Sequence, residues 1–176
     1  MQVTLKATTF NEIMTFASKF TTKDNSRPVL SQILLELEDK KLTATALDGY
    51  KVGQLTFYDV DGEEGSMIIP PVKKVKVKTE PYVTITDDGE NIIFETALKT
   101  QSFKKFEGEY LNYKKAFPKK EPKEIFSMTA GNIAKALSAF DKDIIIDIEY
   151  RGEMEALIVR DRKKATALIL PARRRD

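Results

Sequence analysis

The sequence predicts an α+β fold of repeated strand–helix–hairpin (β-α-β-β-β) units, with antiparallel sheets and the helices gathered on one face. Three observations carry that expectation. Apolar residues recur at helical spacing twice, at Phe10, Ile13, Met14, Ala17 and Phe20 and again at Ile133, Ala136, Leu137 and Phe140. Each stretch is followed by two runs rich in aliphatic residues with a polar turn between them. A further hairpin of the same kind stands between the two, preceded by a short strand but by no helical period.

In the first unit, Thr9 and Glu12 have the capping-box spacing that opens a helix. The helix stops before Asn25-Ser26-Arg27-Pro28, because a residue preceding proline avoids the helical region. I-L-L-E-L, a turn at Glu38-Asp39-Lys40 and K-L-T-A-T-A-L then form a hairpin. The second unit opens on M-I-I-P, a strand closed by two prolines. In V-K-K-V-K-V-K, Val75 and Val77 alternate with lysines, so any helix there is short or absent. Y-V-T-I-T and I-I-F-E-T-A-L flank a turn from Asp87 to Asn91.

In the third unit, E-I-F-S-M predicts a strand and Thr129 a helix cap. I-I-I-D-I-E-Y and E-A-L-I-V-R-D form a hairpin around Arg151-Gly152-Glu153, and A-T-A-L-I-L-P is a last strand. The lysine- and proline-rich stretch at 118–123 reads as a linker between domains at 1–121 and 122–176. The units are expected to set their hairpins edge to edge in one or two sheets.

Composition narrows the function. With 41% apolar and 32% charged residues, the 176-residue chain is globular. It has no cysteine, which excludes disulfides and thiolate metal sites and suggests a reducing compartment. It has no histidine, which removes the commonest general base and every Ser-His or Cys-His nucleophile. Asp87-Asp88 lies in a turn, and Asp141, Asp143 and Asp147 straddle a helix end and a strand, where aspartate is ordinary. The expectation is a binding protein, not an enzyme, with no cofactor and no metal. The first residues, M-Q-V-T-L-K-A-T-T, have no apolar signal core, and no stretch is long enough to span a membrane, so the expected location is cytoplasmic. The net charge of +2 is small; the basic clusters at 73–78, 114–123 and 173–175 read as solvated surface, or as phosphate contacts if they converge.

Three segments resemble the bacterial sliding clamp family, the beta subunit of the replicative DNA polymerase. T-A-T-A-L-D-G-Y-K-V-G at 43–53 is similar to the A-T-D-G-H-R-L stretch of the clamp's middle domain. E-G-E-Y-L-N-Y-K-K-A-F-P at 107–118 is close to the E-G-x-F-P-D-Y-x-x-x-x-P that closes that domain. A-L-I-L-P-A-R near the carboxy terminus looks like the clamp's final V-V-M-P-M-R, and R-P-V-L-S-Q-I-L-L-E also matches. The resemblance implies a shortened clamp: a middle domain joined to the second half of the last domain.

Clamps of this family receive partner peptides, a glutamine followed by leucine and an aromatic residue, in a groove between those two domains. Carried over residue by residue, the groove falls on Leu30, Leu47, Tyr50, Lys51, Val52 and Pro118. From the tail it takes Leu168, Leu170, Pro171, Ala172 and Arg173. Where the family has Thr, His, Arg and Met, this chain has Leu47, Tyr50, Lys51 and Ala172, and Leu111 replaces the proline of the E-G motif. Tyr50 is expected to narrow the groove and Ala172 to widen it. The resemblance also makes Lys19, Lys23, Lys135 and Lys142 the candidates for sequence-independent contact with duplex DNA. A clamp ring has about twelve such units, so three per chain imply a ring of four protomers. The implied partners are replication and repair proteins carrying the peptide, with double-stranded DNA inside a homo-oligomeric ring. The alternatives are a monomeric or dimeric adaptor that binds peptides without encircling DNA, and an unrelated interaction protein.

Overall fold

The computed structural model describes residues 1–22, 26–162 and 164–172. The chain divides into two compact units, Met1–Phe117 and Pro118–Asp176.

In the first unit, β1 (Gln2–Lys6) runs directly into α1 (Ala7–Ala17). A 3-10 turn at Pro28–Ser31 leads to β2 (Ile33–Glu38), β3 (Lys41–Leu47) and β4 (Val52–Phe57). The second repeat contributes β5 (Gly65–Ile69), β6 (Tyr82–Asp87), β7 (Asn91–Glu95) and β8 (Thr100–Lys104). These strands form two four-stranded antiparallel sheets, ordered β4-β3-β2-β5 and β1-β6-β7-β8.

The order corrects the expected edge-to-edge packing of hairpins. The first strand of each repeat crosses into the other repeat's sheet, β1 beside β6 and β5 beside β2. Each crossing strand buries one apolar face, Val3 and Leu5 on β1 and Met67 and Ile69 on β5. Each also covers a sheet edge that would otherwise expose unpaired backbone groups. Between the sheets lies the main core, where α1 lays Phe10, Ile13, Met14 and Ala17 against Leu35, Ile85 and their neighbours. Phe10 meets Phe94 edge-on at 6.1 Å between ring centroids, and Phe94 meets Phe103 likewise at 5.8 Å.

Helix α1 begins two residues before the predicted cap, with Lys6 at the cap position and no side-chain capping bond. The Ala7 N–H instead donates to the Pro81 carbonyl (2.8 Å), which continues the β1–β6 ladder into the first helical turn. Thr9 is therefore inside the helix. Phe20 lies beyond the last turn, against Gly53, where a Cβ would stand 2.5 Å from its ring.

The β2–β3 hairpin closes through Asp39 and Lys40, both with positive φ (48° and 59°), as a two-residue turn of the twist-matched kind requires. The stretch from Pro71 to Pro81 forms no helix. The Asn11 side chain holds it from α1: its Nδ2 donates to the Val75 carbonyl and its Oδ1 accepts the Val75 N–H, both at 2.9 Å. Glu80, buried nearby, accepts the Lys76 N–H (3.3 Å) and the Thr96 hydroxyl (2.6 Å).

The second unit contains α2 (Ala130–Leu137), β9 (Ile146–Glu149), β10 (Leu157–Asp161) and β11 (Thr166–Ile169). Its three strands form one antiparallel sheet, β11-β10-β9. Leu157, Val159 and Ile169 form its buried core beneath the partly buried Ile133, Ala136 and Leu137 of α2. Thr129 occupies the cap position of α2 with its carbonyl, which accepts the Asn132 and Ile133 N–H groups, while its side chain makes no capping bond. The E-I-F-S-M segment is not a strand. Among the described residues no strand pairs with it, and the Ser127 carbonyl accepts the Ala172 N–H (2.8 Å). No helix among the described residues is long and apolar enough to cross a membrane.

Candidate functional site

The I-L-L-E-L run of β2 lacks strict alternation because the strand is covered on both sides, with Leu34 buried and Glu36 half-buried on its outer face. Ile33, Leu35 and Leu37 enter the main core, while Leu34 turns outward into a second, smaller cluster. There it meets Leu30 from the 3-10 turn and Leu47 from the end of β3, with Val52 of β4 packed alongside. Three of the predicted groove residues, Leu30, Leu47 and Val52, are thus gathered in one apolar cluster.

The E-G-E-Y-L-N-Y-K-K-A-F-P segment closes the cluster, and its two tyrosines escaped the sequence reading. The Tyr110 hydroxyl donates to the carbonyls of Gln32 (3.3 Å) and Thr45 (3.1 Å). Tyr113 is buried and donates to Glu36 Oε2 (2.6 Å), while Lys114 pairs with Glu36 Oε1 (3.0 Å). The available signal was the pair of tyrosines three residues apart ahead of a proline, large side chains that bury well where their hydroxyls find partners. Burial raises the pKa of Tyr110 well above its ordinary value, helped by Tyr113 beside it. Burial, then the bond to Glu36, raises that of Tyr113.

Because the folded protein disfavours the Tyr110 phenolate, the unfolded chain ionises first. Tyr110's contribution is complete below the ordinary pKa of 10.0 and declines as the pH rises above it. Tyr110→Phe is expected to cost about 1 kcal/mol at neutral pH through the lost bonds. It is also expected to flatten the loss of stability above pH 10 in urea titrations; an unchanged alkaline slope would remove Tyr110 as its source.

Beside the cluster, Asp48-Gly49-Tyr50-Lys51 makes a tight turn between β3 and β4. Asp48 Oδ1 accepts the N–H groups of Tyr50 and Lys51, both at 3.0 Å, and its other oxygen pairs with the Lys51 ammonium. Gly49 takes φ +92°, a conformation that favours glycine. Burial alone would raise the Asp48 carboxyl, but the Lys51 ammonium and the two N–H donors outweigh it and hold the pKa below the usual range. Lys51 is therefore engaged within the turn, and Tyr50 is left 99% exposed.

The remaining groove candidates lie in the second unit. Pro118 is exposed at its start. Leu168 (60% exposed) stands on the face of β11 opposite Ile169, and Leu170 (70% exposed) follows the strand's end. Pro171 and Ala172 continue the chain, half-buried, with Ala172 tied to Ser127. Arg173 lies outside the described residues.

Of the DNA-contact candidates, Lys19 is exposed in the turn after α1, Lys135 is exposed in the last turn of α2, and Lys142 is exposed beyond it. Lys23 lies outside the described residues. The Asp pairs have structural partners: Asp87 and Asp88 accept N–H groups of their own hairpin turn, and Asp147 pairs with Arg162. Among the described residues no group of three or more acidic side chains converges as a metal site would require.

No protein-family model matches this chain, and no curated protein matches it either. Its fold has many solved counterparts. It is similar to the DNA polymerase III subunit beta of Pseudomonas aeruginosa, with a TM-score of 0.76 and 13% identity over 97% of this chain and 51% of that one. The C. crescentus beta sliding clamp gives a TM-score of 0.78 at 14% identity, over 97% of this chain and 50% of the clamp. The DNA polymerase III beta chain of Streptococcus pneumoniae gives 0.77 at 15% identity, over 98% and 50% respectively. The chain thus has a clamp fold and spans about half the length of these clamps.

Proposed function

We propose that this is a non-catalytic, clamp-like protein of DNA replication in the bacterial cytoplasm. It captures the clamp-binding peptides of polymerases and other replication proteins and, assembled into a ring, encircles duplex DNA. The observation that carries the reading is the apolar cluster of Leu30, Leu47 and Val52 beside an exposed Tyr50, on a fold shared with bacterial clamps. Leu168 and Leu170 would bury the peptide's apolar anchors, at roughly 25 cal/mol per Å² before ordering costs. Tyr50 would lie over the peptide backbone. Lys51, held by Asp48, would stiffen the turn rather than reach far for the ligand.

The test is a fluorescence titration with a labelled peptide carrying glutamine, leucine and an aromatic residue at clamp-motif spacing. Micromolar binding is expected, weakened at least tenfold, about 1.4 kcal/mol, by Tyr50→Ala and by Leu170→Ala. Both side chains are largely exposed, so neither change threatens the fold. Absence of binding up to roughly millimolar peptide would overturn the reading.

One observation favours an adaptor that binds peptides without encircling DNA. Helix α1 carries no lysine or arginine, and α2 carries only Lys135. A ring lined by such helices would neutralise few phosphates, so its affinity for DNA would depend weakly on salt. Retention on closed circular DNA but not on linear DNA would favour encirclement; equal loss from both would favour the adaptor.

A further inference from the structure

We infer that the second unit is half of a domain, completed by the same half of a second copy of this chain through exchange of the segment Glu124–Met128. The inference rests on the fold alone and does not depend on peptide binding.

The first unit supplies the pattern. Its two repeats are each incomplete: each lacks a fourth strand beside its hairpin, and each receives it from the other, β5 beside β2 and β1 beside β6. The second unit holds one repeat by itself. Its sheet ends at β9, on the side where β2 and β6 each receive a crossing strand. Ile148 pairs with the fully buried Val159 and so shares its face, yet Ile148 is 56% exposed. A core-facing isoleucine with half its surface in water marks an apolar layer that stops short at this edge. Helix α2 likewise has no fully buried residue, whereas α1, packed on strands of both sheets, buries five.

The same unit carries the piece that is missing. E-I-F-S-M precedes α2 as β1 precedes α1. Val3 and Leu5 stand four and two residues before the first residue of α1; Phe126 and Met128 stand four and two before that of α2. In the first unit Val3 pairs with Ile85, whose own hairpin partner is Phe94. The corresponding pair places Phe126 opposite Ile148 of the second copy. Among the described residues of the single chain the segment has no strand partner: Phe126 stacks on Tyr150 at 4.9 Å, and Ile125 is 49% exposed.

These facts select a second copy over another protein. The unit presents both an open edge and an unpaired apolar segment, and a two-fold arrangement satisfies both at once, in both copies. An unrelated partner would satisfy one and leave the other. The edge is also unguarded, since β9 contains neither proline nor lysine, and Asp147 and Glu149 are neutralised by Arg162, Arg151 and Arg160.

The chain has no cysteine, so cross-linking can be read without background. Phe126→Cys and Ile148→Cys are made on separate chains, mixed and oxidised, which avoids a bond within one chain. Opposed residues of antiparallel strands lie within disulfide reach, at about 4.5–5.5 Å between Cα atoms. A covalent dimer should form in the mixture and be several-fold less abundant in either variant alone. In sedimentation equilibrium the wild-type chain should self-associate with a dissociation constant of about 10 μM or tighter, weakened at least tenfold by Ile148→Lys. Ile148 is exposed in the single chain, so a normal circular dichroism spectrum is expected for that variant. A wild-type chain that stays monomeric at about 100 μM would overturn the inference. So would an assembly that Ile148→Lys leaves intact, or a mixture that cross-links no better than its components.

Discussion

Phe10→Ala is expected to lower the unfolding free energy of the first unit by about 3–5 kcal/mol, the range for deleting a fully buried aromatic side chain. Phe10 is 1% exposed and belongs to the helix that packs on both sheets. Its removal takes away apolar burial and the edge contact with Phe94, and the neighbours that line the void come from both repeats. Collapse of the void would require the two sheets to move together, which their ladders resist. The matched comparison is Ile133→Ala on α2, whose side chain is only partly buried; about 1 kcal/mol is expected there. Calorimetry of the full chain with each variant separates the two effects. A loss below about 1.5 kcal/mol for Phe10→Ala would mean that α1 is not the keystone of this core.

The contrast between the helices explains which parts of the fold were legible in the sequence. Helical period and hairpin turns report local chemistry, so both helices and the hairpins are readable from Phe10–Ala17, from Ile133–Leu137 and from the Asp39-Lys40 and Asp87–Asn91 turns. Strand exchange is a non-local choice. Nothing in Val3 or Met67 states which hairpin each will join, so local pattern alone sets whole hairpins edge to edge. The start of α1 differs from the pattern for a related reason: Thr9 and Glu12 have capping spacing, but the ladder with Pro81 extends the helix back to Ala7. E-I-F-S-M is strand-like in composition and pairs with no strand among the described residues. That conflict between local preference and structure is expected where a partner is missing.

The candidate site divides in the same way. Leu30, Leu47 and Val52 were reached through the resemblance, and they share one cluster. Tyr110, Tyr113 and Glu36 are not among the positions carried over, because their part is to close that cluster from behind rather than to line the groove. Lys51 belongs to the groove by the resemblance, but a carboxylate three residues earlier in a tight turn claims its ammonium.

Asn11→Ala is the second substitution with a large expected effect, about 2–3 kcal/mol, and it tests how the middle repeat manages without a helix. Asn11 forms a reciprocal pair of bonds with the backbone of Val75, donating to its carbonyl and accepting its N–H. Val75 is itself buried, so truncation leaves a donor and an acceptor poorly placed to find water. The 71–80 stretch would then keep two side-chain tethers, Met14 Sδ, which accepts the Val72 N–H at 3.5 Å, and Glu80. Asn11→Asp separates hydrogen bonding from packing. The carboxylate can still accept the Val75 N–H but opposes the Val75 carbonyl; once protonated, it can donate to that carbonyl as the amide did. Asn11→Asp should therefore approach the alanine variant at pH 7 and recover toward wild type near pH 4, when each is compared with wild type at the same pH. Hydrogen exchange at Val75 reports the same event locally, with protection expected to fall about thirtyfold or more in Asn11→Ala. Protection unchanged in both variants would mean that the Asn11 bonds do not hold the stretch.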